Sequence, residues 1–178
     1  MVAGGVSKYG VGKLIFCIGT VESIAYNQAI KYYQNDIESL SPNNQLLYFQ
    51  QDNAPSHTSK ATKEILSHIK SLKFWPQNSP EISPIEKVWS FVLRKLEGIK
   101  FDNLESLKQK VLYIWNRIPK EYCEKIINKF DEDIELLIKN GGIYKNKNKS
   151  AYNPYGLENQ KYEDKFENII FIYSSVFD

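Results

Sequence analysis

Two carboxylates sit where a chain of this kind could hold a hard metal ion. Asp52 follows the apolar run "QLLYFQQ", which is too short for a helix and too apolar for a loop. That run predicts a buried strand whose tip is the acid. Glu86 lies two residues after Pro84 in "SPIEKVW", and a proline there belongs to the first turn of a helix, so Glu86 stands near its amino end. Strand tips and the helix starts beside them form the rim at which α/β sheets bind ligands. Two carboxylates at such a rim suit Mg²⁺ or Mn²⁺, which prefer oxygen donors. The acids are 34 positions apart (86 − 52). The predicted helix and short strand between them give the chain a route back to the same edge. Each acid taken singly has a plainer reading, since an Asp before a helix often caps it and a Glu in a first turn meets the positive end of the helix dipole.

The elements that must position these acids are legible as patterns. "MVAGGVS" and "GKLIFCIGT", split by "KYGV" with Gly10 at the turn, predict a β-hairpin. A helix over about 24–40 follows from Ala25, Ala29, Tyr32 or Tyr33, and Ile37, and "SPNN" breaks it. After Asp52, Ser56 or Thr58 is placed to cap a helix with Ala61, Ile65, Leu66 and Ile69 inward, and "LKFWP" reads as a short strand. "QNSPEISP" has to be a loop. Ile85, Val88, Trp89, Val92 and Leu96 then mark one face of a helix that leaves Glu86 off the stripe. That stripe also makes Trp89 a core residue. Two further helices carry Leu104, Leu107, Val111, Ile114 and Ile118, and then Ile126, Ile127, Phe130, Ile134 and Leu137, with Gly141 and Gly142 as the stop. Hairpin, helix, strand, helix, strand and helices make a mixed α/β domain.

Composition sets outer bounds. The 178 residues, 42% hydrophobic and 13% aromatic, suffice for one core. With no apolar run of roughly 18 residues and no charged-then-apolar leader, the expectation is a soluble intracellular protein with no membrane partner. Cys17 and Cys123 lie in apolar patterns without a second thiol or a histidine nearby, so both read as core fillers and not as disulfide or zinc ligands. A formal net charge of +2 does not argue for nucleic-acid binding.

The phrases around the acids go further. "DNAPSHTSKATKEIL" and "LKFWPQNSPEISPIEKVWSFVLRKL" resemble the catalytic core of the Tc/mariner superfamily of DDE transposases, in which "QDNAPxH" is followed by "WPxxSPDLNPIExxW". "GGVSKYGVGKLIFCIGTVES" with Tyr26 is similar to the family segment ahead of its second acid, and residues 101–145 are similar to its closing helices. The resemblance covers roughly residues 1–145, leaving 146–178 as a linker and an unassigned tail. It implies an RNase H-like fold in which three carboxylates hold two divalent ions, Mg²⁺ or Mn²⁺, for DNA strand cleavage and strand transfer in transposition. On matching positions Asp52 is the second acid and Glu86 the third, both as ionised metal ligands. Asn53 and His57 belong to the same phrase and are candidates for site support or DNA contact, the plain alternative for His57 being a solvent-facing first-turn residue. Glu81 falls where the family has the Asp of "SPDLNP" and is a loop residue. Transposon ends and target DNA are the implied partners, a homo-oligomer the implied assembly and the nucleus the implied compartment.

The departures carry expectations too. The interval between the acids is one residue shorter than is usual in the family. The family's first acid lies on its first, central strand, ahead of the segment at which this sequence starts. The 178 residues are therefore expected to hold two of the three acids, to lack the central strand and the upstream end-recognising region, and to be inactive alone. Asp36, on the helix after the hairpin and facing away from the strand tips, is no substitute. "ENIIFIYSSVFD", past the polar "YKNKNKS", is strand-like at Ile169, Ile170, Phe171, Ile172 and Tyr173 and is expected to fill the vacant position, in cis or from a second copy, with Ser174 and Ser175 where an acid would be needed. Two other functions stay open: a non-catalytic transposon remnant that binds nucleic acid or protein, and an unrelated Mg²⁺-dependent nuclease of the same fold. The match on both sides of the acids disfavours the latter.

Overall fold

The computed structural model describes residues 2–16, 23–35, 40–41, 48–51, 57–67, 82–139 and 169–175. Strand β1 (Val2–Ser7) turns through Lys8 and Tyr9 into β2 (Gly10–Val11), and β3 (Ile15–Phe16) pairs with β1 farther along. Gly10 has φ 143°, a backbone that side chains with a Cβ rarely adopt. The predicted hairpin is present, with one irregularity. Pairing shifts by one residue between Val6↔Val11 and Ala3↔Ile15, so the returning strand carries an extra residue and is bulged.

β1 is buried along its whole length because both faces of the sheet are covered. On one face Val2 and Val6 pack against three helices: α3 (Pro84–Leu96), α4 (Leu104–Trp115) and α5 (Lys120–Lys139). Gly4 lies on the same face between them, and a Cβ there would come within 2.4 Å of the Trp115 ring. Trp115 is fully buried, packs against Trp89 with ring centroids 4.9 Å apart and the planes tilted by 34°, and donates from Nε1 to the Gly12 carbonyl at 2.7 Å. Cys123 fills the same core, and burial pushes its thiol up to about 11, so it is protonated and inert near neutrality. The second cluster gathers Tyr26, Ile30 and Tyr33 of α1 (Ser23–Asn35), Leu40, and Phe49 of β4 (Tyr48–Gln50), with Ile65 and Leu66 of α2 (Lys60–Leu66) against them.

β5 (Ile169–Ser175), the last element of the chain, lies inside the sheet. The order is β2-β1-β5-β4, with β5 antiparallel to β1 and parallel to β4. The tail strand thus takes the central position expected of it, in cis, paired with β1 and with β4.

Several details differ from the sequence patterns. Tyr33, not the exposed Tyr32, is the inward member of its pair, and α1 buries Tyr26 and Ile30 as well. Ser59 caps α2, its side chain accepting from the Thr62 amide, in place of Ser56 or Thr58. The inner face of α2 shifts accordingly, with Thr62 buried and Ala61 exposed. Leu104 is 65% exposed at the start of α4, whereas Trp115, outside the predicted stripe, is its most buried residue. The helix beginning at Pro84 buries Ile85, Val88, Trp89 and Val92, as its spacing predicts. Asp36, Cys17, Ile37, Ile69, the "LKFWP" segment, Glu81, Gly141 and Gly142 lie outside the described residues.

Candidate active site

Glu86 is where its spacing puts it. Ser83 is the N-cap residue of α3, Pro84 opens the helix, and Glu86 is the acid of its first turn, half-buried and off the core stripe. Its carboxylate is therefore close to the positive end of the helix dipole, which favours the ionised form. α3 packs on β1 and β5. Its first turn is also held from the other side by α5. Tyr122 Oη donates to the Lys87 carbonyl at 3.0 Å, and the buried Asp133 carboxylate meets Lys87 Nζ at 3.6 Å and Lys129 Nζ at 2.9 Å. Asp133 is a buried charge answered by two cations, and it fixes the residue next to Glu86. Tyr122 packs at 5.0 Å on Phe91, and burial raises its phenol pKa, partly offset by Arg94.

Asp52 and Asn53 lie outside the described residues, but the two ends of their segment are described. On the near side, Gln51 follows β4. On the far side, His57 is 1% exposed and stacks on Tyr26 with centroids 3.8 Å apart. Gln51 joins the two, since its Nε2 donates to the His57 carbonyl at 2.8 Å and its Oε1 accepts from Tyr26 Oη. One residue of α1 thus holds both ends of the five-residue segment that contains Asp52. Thr62 Oγ1 donating to Asn27 Oδ1 at 2.8 Å ties α2 to the same helix. This corrects the solvent-facing reading of His57, whose imidazole is packed and whose backbone is an acceptor. Sequence patterns did not single out Tyr122 or Asp133, because hydrogen bonds and ion pairs between remote helices leave no periodic trace. Tyr26 was visible only through the resemblance.

The donor set suits a hard divalent cation: carboxylate oxygens on a helix start and in the segment after a strand tip. Among the described residues no group of three His, Cys, Asp or Glu side chains is placed to hold a metal ion. None of the described helices is long and apolar enough to cross a membrane.

A mixed sheet with helices on both faces, β1 and its hairpin partners antiparallel and β4 parallel to the central strand, is an RNase H-like fold. The family described as "DDE superfamily endonuclease" matches residues 10–108, more than half of the chain and the stretch holding both acids. Among curated proteins, the chain is similar to the transposable element Tcb2 transposase of Caenorhabditis briggsae, 34% identical over 92 residues, 51% of this chain and 33% of the relative. It is also similar to the Tc1 transposase of Caenorhabditis elegans, 32% identical over 96 residues, 53% of this chain and 35% of the relative. The chain spans about a third of the length of these relatives. Among solved structures, the Mos1 transposase catalytic domain with raltegravir and Mn superposes with a TM-score of 0.69 at 22% identity, over 82% of this chain and 76% of that one. A pre-cleavage Mos1 transpososome superposes at 0.70 and 23% identity, over 82% and 45%. The chain belongs to the DDE superfamily endonucleases.

Proposed function

We propose that this domain derives from a transposase that cleaves DNA strands and transfers them, with Asp52 and Glu86 as two of the carboxylates that hold its divalent metal. The observation that supports this most strongly is the placement of Glu86: the acid of "SPIEKVW" stands in the first turn of a helix seated on β5, the neighbour of the strand leading to Asp52. Asp52 and Glu86 would hold the ion, and Mg²⁺ or Mn²⁺ held there would supply Lewis acidity toward a phosphodiester. The chain's own contribution is to position the elements that carry the carboxylates. The α3 dipole and the clamp of Tyr122 and Asp133 serve Glu86, and Tyr26 serves the Asp52 segment through Gln51 and His57. His57 acts here as site support and not as a DNA contact.

Relatives described as transposases, and Mos1 structures described as paired-end complexes with a transposon end, Mn or Mg, support DNA and a divalent ion as partners, while a homo-oligomer, a second ion and the nucleus follow from the family resemblance alone. A site of two carboxylates holds a divalent ion more weakly than one of three. β5 continues past its last pairing with β4, Gln50↔Phe171, through Ile172 to Ser175, and carries no carboxylate. Supercoiled-plasmid nicking in Mn²⁺ tests the reading. The chain as it stands should remain at background, and Tyr173→Asp or Ser174→Asp should raise nicking at least tenfold, an increase abolished by adding Glu86→Gln. Nicking that is indifferent to Glu86, or no gain from either Asp variant, would refute it.

A further inference from the structure

We infer that the slot between β1 and β4 is a strand-acceptor site, and that residues 169–175 are its ligand, tethered to the rest of the domain by residues 140–168. This inference does not depend on the metal-site reading. β5 comes last in the chain yet is central in the sheet. It is antiparallel to β1 over five pairs, from Val2↔Ser175 to Val6↔Phe171, and parallel to β4 over three, from Tyr48↔Ile169 to Gln50↔Phe171. Among the described strands β5 is the sole partner of β4, so β4 joins the sheet only through the tail.

Both walls of the slot are backbone edges. On one side are the donors and acceptors of a wholly buried β1, which are costly to leave unpaired, and on the other are those of β4. β1 and β4 run in opposite directions, and residues 169–175 take the polarity that is antiparallel to β1 and parallel to β4. The occupant has the composition such a site selects. "IIFIYSS" is uncharged, rich in β-branched and aromatic residues, and free of proline and glycine.

In the sequence 29 residues, 140–168, separate the end of α5 from β5, so β5 pairs with strands remote from it in the chain.

The test is disulfide trapping in the full chain, scored against the wild type with its own two cysteines. Ala3→Cys with Ser174→Cys, and Val2→Cys with Ser175→Cys, place thiols at directly opposed positions, whose Cα spacings of roughly 4.5–5.5 Å suit a disulfide. The expected result is an intramolecular link in at least one pair at micromolar protein, identified by mass spectrometry. A link between chains would give the slot to a second copy and overturn the assignment in cis. No link in either pair would overturn the docking itself. Should the variants fold poorly, amide exchange in the wild-type chain decides the point: 3–6 and 170–174 should be protected alike, and a tail exchanging freely beside a protected β1 would contradict the inference. A synthetic peptide of residues 167–178 with Ser174→Cys, oxidised against full-length Ala3→Cys, should be captured at millimolar and not at micromolar concentration. Failure of capture at both would show that the slot accepts no separable strand.

Discussion

Phe171→Pro should leave the chain without a cooperative unfolding transition at 25 °C, whereas Phe171→Leu should retain one. Phe171 is the one position of β5 paired on both sides, with Val6 of β1 and Gln50 of β4. Proline there removes an amide donor and forces a ring into the middle of a sheet, where it is essentially not found. The damage is not confined to the tail, because β4 is connected to β1 only through β5. Set against a total stability of roughly 5–15 kcal/mol, the loss of the central strand takes the domain past its margin. Thermal melting followed by far-UV circular dichroism makes the comparison, and a Phe171→Pro chain that melts like the Phe171→Leu control would mean that β5 is not part of the folded sheet.

The second large effect is expected at Trp115. Trp115→Ala removes the largest fully buried side chain, together with its hydrogen bond to Gly12 and its contact with Trp89. Such truncations cost about 3–5 kcal/mol. For a domain of this size that lowers Tm by roughly 10 °C, at about 2–4 °C per kcal/mol. The same ring predicts a coupling. A Cβ on Gly4 would stand 2.4 Å from Trp115 in the native chain, so Gly4→Ala should destabilise by about 1–3 kcal/mol there and by far less with Trp115→Leu. Additive losses in that double-mutant cycle would show that the sheet and α4 are not in contact at this point.

How much of this was legible in the sequence depends on what kind of force fixes each feature. The α3 stripe from Ile85 to Val92 and the position of Glu86 follow from helical periodicity and a proline at the helix start, which are local, and the structure has them as predicted. The choice of Tyr33 over Tyr32 was left open because α1 rotates to suit the core it meets. Leu104 was assigned inward from spacing alone, but it precedes the point where α4 reaches the core, and Trp115 escaped notice because it fell one residue off the stripe. The cap of α2 moved from the predicted residues to Ser59, a third hydroxyl in the same short run. The clamps on the site, Tyr122 and Asp133 on α3 and Tyr26 on the Asp52 segment, join residues whose separation in sequence carries no signature. The tail strand was legible as a strand from its apolar run. Its place in the sheet followed from the family resemblance, which implied a gap of the right shape.

If Asp52 and Glu86 act together as a metal site on this fold, a divalent ion must bind through both. The most direct measurement is a Mn²⁺ titration of the full chain, followed by calorimetry at neutral pH, with Asp52→Asn and Glu86→Gln as comparators of matched shape. The account predicts weak binding, with Kd in the high micromolar to millimolar range, lost in either variant at unchanged Tm without metal. Binding that survives both substitutions, or none in the native chain up to tens of millimolar Mn²⁺, would contradict it.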